Sequence, residues 1–390
     1  KIRGILARGG KVVLHCRGGL GRTGLLAARL LVEFGLEPEQ AIKQVRASRP
    51  GAIETKEQEQ HIYECKSRNP RRTLDHYLGC LLGGAIGDAL GAAVEFDSLA
   101  DIRKKYGASG ITNYDTAFGR VGAITDDTQM SLFTAEGLLR AYSRANEKGI
   151  GPSFASCIYY AYRRWLVTQD EVQRDAVPTD GWLINNQELF SRRAPGGTCL
   201  SALNDGEPFY LSDSRQHNMS KGCGAVMRTA PVGLFAQSPY VCNIWDGETR
   251  DEQAYDIGRD SGYLSHGHPS GYLPAAFLAK LIGRIIDGDD LDIALDKTWK
   301  TLIQHHYADE TMAAITKARE LAANKLVQPC PETIAKIGEG WVGEEALAIA
   351  IYCALVASND FDFGVRLAVN HGGDSDSTGT IVGNILGALL

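Results

Sequence analysis

Helical spacing of apolar residues dominates the chain from residue 74 onward. Recurrences at three and four residues predict helices over 74–93, 128–143, 153–168, 274–287, 309–323, 344–357 and 379–390. No run of strand character stands out among them, so this long segment reads as all-α. The first 66 residues read differently. Lys11-Val12-Val13-Leu14 is a short apolar run expected to form a buried strand, and a Gly-rich loop follows it. Helices are predicted over 23–34, 38–47 and 56–66, the second with Pro38 in its first turn. Residues 67–73 include Ser67-Arg68-Asn69-Pro70-Arg71-Arg72, a polar, basic, Pro-containing stretch that reads as a linker. The expected organisation is mostly α: a small α/β unit at 1–66, then a helical bundle at 74–390. Both ends read as cuts through a longer protein, since the chain opens on Lys1 beside a strand and closes inside an apolar helix.

Glycine spacing sharpens the picture. Gly79, Gly83, Gly87 and Gly91 fall at every fourth residue of one predicted helix, and Gly379, Gly383 and Gly387 do the same on the last. Glycine weakens a helix by about 1 kcal/mol relative to alanine. Such stripes are expected where two backbones approach closely. Packing of one stripe on the other would bring Asp88 and Glu95 close to Asp374. The apolar stretch from Leu78 to Val94 contains Asp88 and is short of a membrane span, so it reads as a buried helix.

Composition narrows the function classes. The 390 residues are 44% hydrophobic and 23% charged, ordinary for a globular protein, and the net charge of −6 argues against a broad nucleic-acid surface. Nine cysteines lie without paired or framework spacing, which fits reduced thiols in a cytoplasmic protein. No signal peptide is visible, and the sequon Asn218-Met219-Ser220 then reads as accidental. Nothing in the sequence indicates an oligomeric state.

Two short acidic clusters carry the chemistry. Thr125-Asp126-Asp127 and Asp374-Ser375-Asp376-Ser377 each precede a helical stretch and mix carboxylates with hydroxyls. Such residues are favoured helix N-caps, but a cap needs one of them and each cluster offers three or more. Oxygen-only donors suit Mg²⁺ or Mn²⁺ rather than zinc. Four carboxylates brought together cannot all stay ionised without a cation. The second cluster also imitates the start of a calcium loop, but the twelfth position is Ile385 where a bidentate Glu is needed. His266 and His268 hint at zinc, yet no Cys or third His has suitable local spacing. Tyr159, Tyr160, Tyr162 and Trp165 read as one helix face, Trp341 as core packing, and His305-His306 as a solvated helix feature.

A separate motif lies near the start. His15-Cys16-Arg17-Gly18-Gly19-Leu20-Gly21-Arg22-Thr23 spaces a cysteine and an arginine as Cys-x5-Arg between a strand and a helix. Loop N–H groups at a helix N-terminus form an anion nest and lower the thiol pKa. Arg22 is placed to clamp a phosphoryl group, and Thr23 to stabilise the thiolate. With Ala52-Ile53-Glu54-Thr55 downstream, this stretch resembles the C-terminal part of the cysteine-dependent dual-specificity phosphatases. That resemblance implies Cys16 as nucleophile and Arg22 as its phosphate clamp. The general-acid Asp of those enzymes lies on a loop well upstream of the Cys.

The remainder resembles the ADP-ribosylglycohydrolases, from about Leu74 to Leu390. Five motifs carry the likeness in order: Gly87-Asp88-Ala89-Leu90-Gly91 with Glu95, Ile124-Thr125-Asp126-Asp127-Thr128, Gly222-Cys223-Gly224-Ala225-Val226-Met227-Arg228, His266-Gly267-His268-Pro269, and Asn370-His371-Gly372-Gly373-Asp374-Ser375-Asp376-Ser377-Thr378-Gly379. The resemblance implies an all-α bundle and two Mg²⁺ or Mn²⁺ ions held by Thr125, Asp126, Asp127, Asp374, Asp376 and Ser377. It implies ADP-ribose contacts from Gly222, Cys223, Gly224 and His266, with many relatives carrying Asn in place of Cys223. The implied reaction breaks an N-glycosidic bond, with ADP-ribosyl-arginine the expected substrate and Asp127 or Glu95 the general base. Partners are then ADP-ribosylated proteins or small molecules. Two other readings stay open: a module that binds ADP-ribose or phosphate without turnover, and a phosphatase with an accessory helical domain.

Overall fold

The computed structural model describes residues 2, 11–34, 36–65, 72–215, 217–238, 241 and 247–390. The end of the third predicted helix and most of the expected linker lie outside the described residues. Two compact units divide the chain: Lys1–Thr73 with Asp287–Asp290, and Leu74–Ile286 with Leu291–Leu390.

The first unit is built on α1 (Gly21–Glu33), α2 (Pro38–Ser48) and α3 (Lys56–Glu64). Pro38 starts α2, where its missing N–H costs nothing, and the Thr55 hydroxyl caps α3 by accepting from Gln58 N at 3.3 Å. Ala28, Val32, Ala41, Ile42, Ile53 and Ile62 form its small core. The expected strand does not form. Residues 11–16 are irregular, and Val13 is 88% exposed. Among the described residues no strand lies beside this segment, and a strand without a ladder partner leaves its N–H and C=O groups unpaired.

The second unit is helical, as expected. In order it contains α4 (Leu74–Gly91), α5 (Leu99–Tyr106), α6 (Asp126–Lys148), α7 (Phe154–Thr168), α8 (Gly197–Asn204), α9 (Ala230–Ala236), α10 (Gly247–Tyr263), α11 (Pro269–Ile286), α12 (Leu291–Leu302), α13 (Asp309–Ala323), α14 (Pro331–Ile334), α15 (Gly343–Ala357), α16 (Phe361–Val369) and α17 (Ser375–Leu389). A two-residue hairpin, β1 (Thr116–Ala117) with β2 (Arg120–Val121), is the one ladder among the described residues. The core centres on α11, α15 and α17, whose apolar residues are buried on nearly every side.

The glycine stripes meet. A Cβ built on Gly79, Gly83 or Gly87 runs into the carbonyl oxygen of Gly387, Gly383 or Gly379 respectively, and one on Gly91 into that of Ser375. The pairing is antiparallel, so the C-terminal end of α4 lies against the N-terminal end of α17. The last turn of α4 is buried as expected, Ala89 and Leu90 included, but Leu78, Leu82 and Ile86 are exposed along another side, in contrast to the buried helix expected from Leu78 onward. No helix of the described residues is long and apolar enough to cross a membrane.

Three local expectations differ from the structure. Trp341 is not core: it is 40% exposed and stacks on Phe96 with ring centroids 6.1 Å apart. His305 and His306 sit in the turn after α12, with His305 stacked on Tyr255. Of the four aromatics read as one helix face, Tyr159, Tyr162 and Trp165 of α7 are buried and Tyr160 is exposed.

Candidate active site

Helix starts build the centre. Thr125 caps α6, its hydroxyl accepting from Asp127 N at 3.2 Å, and Asp374 caps α17, its carboxylate accepting from Ser377 N at 3.3 Å. One residue of each cluster therefore performs the capping role, and Asp126, Asp127 and Asp376 remain for other chemistry. The antiparallel α4–α17 contact brings in Asp88 and Glu95.

Asp88 is fully consumed in positioning. Its carboxylate accepts from Thr125 N at 2.9 and 3.0 Å, from Thr128 N at 3.1 Å and from the Thr128 hydroxyl. Burial raises its pKa to about 6, against those hydrogen bonds, which lower it. Asp126 is fixed on both sides: its N–H donates to Arg193 O at 3.1 Å, and its Oδ2 accepts from Gly196 N at 3.4 Å. Arg193 in turn donates to Ile124 O at 3.0 Å.

The remaining carboxyl groups lie near enough for each to raise the others. Asp126, Asp127 and Asp376 are all held well above the usual carboxylate range, first by burial and then by their acidic neighbours. Glu95 is pushed up to about 9 by burial and by the charges of Asp374, Asp126 and Asp88. Asp127 Oδ2 and Glu95 Oε2 are buried with no hydrogen-bond partner. Among the described residues no three His, Cys, Asp or Glu side chains already stand as a metal-holding group. The donor chemistry nevertheless fits a hard dication: buried, mutually repelling carboxyls with two orphaned oxygens and flanking hydroxyls from Thr125 and Ser377.

The Gly222–Gly224 loop closes one side. Gly222 pairs with Val342 in an isolated antiparallel bridge, Gly343 N donates to Lys221 O at 2.7 Å, and Cys223 N donates to Trp341 O at 3.2 Å. Gly222 N donates to Ser220 Oγ at 3.3 Å, so the first two N–H groups of the loop are already engaged rather than free for a diphosphate. The Cys223 sulfur points to the second cluster, 2.7 Å from Asp374 Oδ2. His266 is buried behind the loop. Its Nδ1 meets Ser265 Oγ at 2.9 Å, its ring lies against Gly222 and Gly224, and burial drives its pKa down to about 3, so it is neutral. His268 lies outside this group; its Nδ1 accepts from Ser270 N at 3.0 Å.

Several contributors were not singled out from sequence. Thr128 locks Asp88. Glu339 O accepts from Asp374 N at 2.8 Å, and Gly340, at φ +88°, lies against Asp374. His371 Nε2 meets Thr378 Oγ1 at 3.0 Å, and Thr378 bonds back to Asp374 O at 2.8 Å. Phe96 follows Glu95 directly, a signal that places an exposed aromatic pair next to the acidic centre.

In the first unit, the Cys-x5-Arg loop leads into α1. Gly19 N donates to Cys16 Sγ at 3.2 Å, with Gly19 at φ +70°. A shallow cavity of about 400 Å³ is lined by Val13, Leu14, His15, Cys16, Arg22, Thr23 and Leu26. The Thr23 hydroxyl lines the same cavity as Cys16 and is buried without a closed hydrogen bond. With the loop N–H groups it lowers the Cys16 pKa to about 7.

The second unit is thus a mainly helical bundle with buried carboxyls gathered at two helix N-termini. The family model for ADP-ribosylglycohydrolase matches residues 69–390, and the chain belongs to that family. It is thus a hydrolase of ADP-ribosylated substrates. Its relatives include the "ADP-ribosyl-[dinitrogen reductase] glycohydrolase" of Rhodospirillum rubrum, 24% identical over 80% of this chain and 85% of that protein. A solved "ADP-ribosylglycohydrolase-related protein complex" shares the fold, with a TM-score of 0.50 and 23% identity over 81% of this chain and 87% of that one. The model "Swiss Army Knife protein, DSP-PTPase phosphatase domain" matches residues 3–62. The "Tyrosine-protein phosphatase CDC14" of Saccharomyces cerevisiae is 44% identical over 13% of this chain, a match spanning 9% of that phosphatase.

Proposed function

We propose that the helical unit hydrolyses the N-glycosidic bond of ADP-ribosyl-arginine, releasing ADP-ribose, with Mg²⁺ or Mn²⁺. The observation that carries this reading is the pair of buried, unpartnered oxygens, Asp127 Oδ2 and Glu95 Oε2, inside a group of mutually repelling carboxyls. Thr125, Asp126, Asp127, Asp374, Asp376 and Ser377 would hold two ions. When bound, the ions supply positive charge that orients the ribose hydroxyls and acidifies water. The chain's own residues do the rest. Asp88 and Thr128 keep the α6 start in place, and Asp127 or Glu95 takes the proton of the attacking water. As the ribose–nitrogen bond breaks through an oxocarbenium-like state, nearby carboxylates favour the growing positive charge. The arginine side chain departs from its protonated form as neutral guanidine, and the proton taken from water returns it to guanidinium.

Release of ADP-ribose from a panel of ADP-ribosyl linkages, with and without chelator, tests the reading. Turnover of the arginine linkage, abolished by chelation and by Asp126→Ala or Asp376→Ala in folded protein, is expected. Turnover that chelation leaves unchanged contradicts it.

The lowered Cys16 thiol favours a second reading for the first unit: Cys16 as nucleophile toward a phosphate ester clamped by Arg22. A phosphate-ester assay with a Cys16→Ser control tests it, and equal rates in both proteins would remove it.

A further inference from the structure

We propose that Cys223 is itself a metal ligand of the acidic centre, giving this chain a mixed sulfur–oxygen donor set and a preference for softer dications such as Co²⁺ or Zn²⁺ over Mg²⁺. The inference rests on the metal reading above and adds a donor to it. The Cys223 sulfur lies 2.7 Å from Asp374 Oδ2 and 3.6 Å from Ser377 Oγ, two of the proposed ligand groups. The Met227 thioether of the same 3₁₀ turn stands 3.9 Å from Ser377 Oγ, so that hydroxyl is flanked by two sulfurs.

The loop delivers the thiol rigidly. Cys223 N is tied to Trp341 O, and the Gly222–Val342 bridge anchors the residue before it. Cys223 as a residue is only partly buried. An independent sign of a cation site is the pair of unpartnered oxygens on Asp127 and Glu95, whose residues are 2% and 7% exposed. The Cys223 thiol donates to Asp374 Oδ2. Cys223 and Asp374 would together hold a dication, with the thiol giving up its proton to solvent as metal binding requires. Thiolate donors favour softer first-row metals, whereas an all-oxygen set suits Mg²⁺.

The metal-stripped 390-residue chain titrated with Co²⁺ tests this, read by calorimetry and by near-ultraviolet absorption. Because the chain has nine cysteines, the decisive comparison is with Cys223→Ser, which keeps a hydroxyl donor. A thiolate-to-cobalt charge-transfer band saturating with bound Co²⁺ is expected in the parent. It is expected to vanish in Cys223→Ser, which still binds Co²⁺ but about tenfold or more weakly. Bound Co²⁺ without the band, or the same band in Cys223→Ser, overturns the inference and leaves the metal reading standing. No Co²⁺ uptake by the parent overturns both. Should Cys223→Ser fail to fold, alkylation of Cys223 in the parent, mapped by peptide mass, decides. Protection by Co²⁺ is expected, and equal labelling with and without Co²⁺ overturns the proposal.

Discussion

Gly87→Ala is the sharpest probe of how the fold sets the site. The added Cβ falls on the carbonyl group of Gly379, and the nearest atoms it meets are all backbone. Backbone cannot swing aside as a long side chain can, so α4 and α17 must separate. Overpacking of this kind costs about 1–3 kcal/mol, and alanine regains about 1 kcal/mol of helix propensity. The net expectation is a loss of up to about 2 kcal/mol, or up to about 3 °C in melting temperature for a unit of this size. Activity should fall further than stability, because Asp88 and Glu95 ride on or just beyond α4 while Asp374 and Asp376 ride on α17. Thermal melting by circular dichroism and ADP-ribose release are the two readouts. Gly151→Ala is the control: nothing lies within 4 Å of its Cβ, and melting should be unchanged or slightly raised. A Gly87→Ala protein that melts at or above the parent temperature with full turnover would refute the close-packing argument.

Other outcomes follow from the same geometry. Glu95 and Asp88 have pKa values raised to about 9 and about 6, so the metal-free fold holds protons that the unfolded chain releases. Stability of metal-free protein should therefore fall as pH rises from about 4.5 to 9, with a slope of about 1.4 kcal/mol per pH unit for each proton held. Denaturant melts at pH 5 and pH 8 check this, and added Mn²⁺ should flatten the dependence. Alkylation of Cys16 should have its midpoint near pH 7, and Thr23→Ala should move it upward, since the Thr23 hydroxyl is the largest cause of the lowering. Asp88→Ala should unseat the α6 start, leaving the Thr125 and Thr128 N–H groups without their acceptor. Activity loss together with destabilisation by about 2–4 kcal/mol is expected from chemical melts, and a neutral result would contradict the positioning role.

Much of this was legible because periodicity and caps are local. The helix expected over 309–323 forms with those ends, and both acidic clusters do head helices. The expected start at 274 was five residues late: α11 begins at Pro269 and runs through Pro274, which sits inside a helix whose neighbours hold it. Helix α10 was missed because Ala254, Tyr255, Gly258 and Ile257 are too sparse among charged residues to show a stripe. The strand at 11–14 failed for the opposite reason, since its apolar pattern is local but strand formation needs a partner. Within the site, residue types were readable but their division of labour was not. The full use of Asp88 as a loop anchor, the engaged N–H groups of Gly222 and Cys223, and the turn of the Cys223 sulfur toward Asp374 are long-range contacts that no spacing rule reveals.

Crystals grown with Mn²⁺ and measured for anomalous scattering address the central claim most directly. Anomalous peaks bounded by the Asp127 and Asp376 side chains are expected, because the two ends of the helical unit supply one centre. Well-ordered crystals with Mn²⁺ bound elsewhere, and no peak between those carboxylates, would contradict the account.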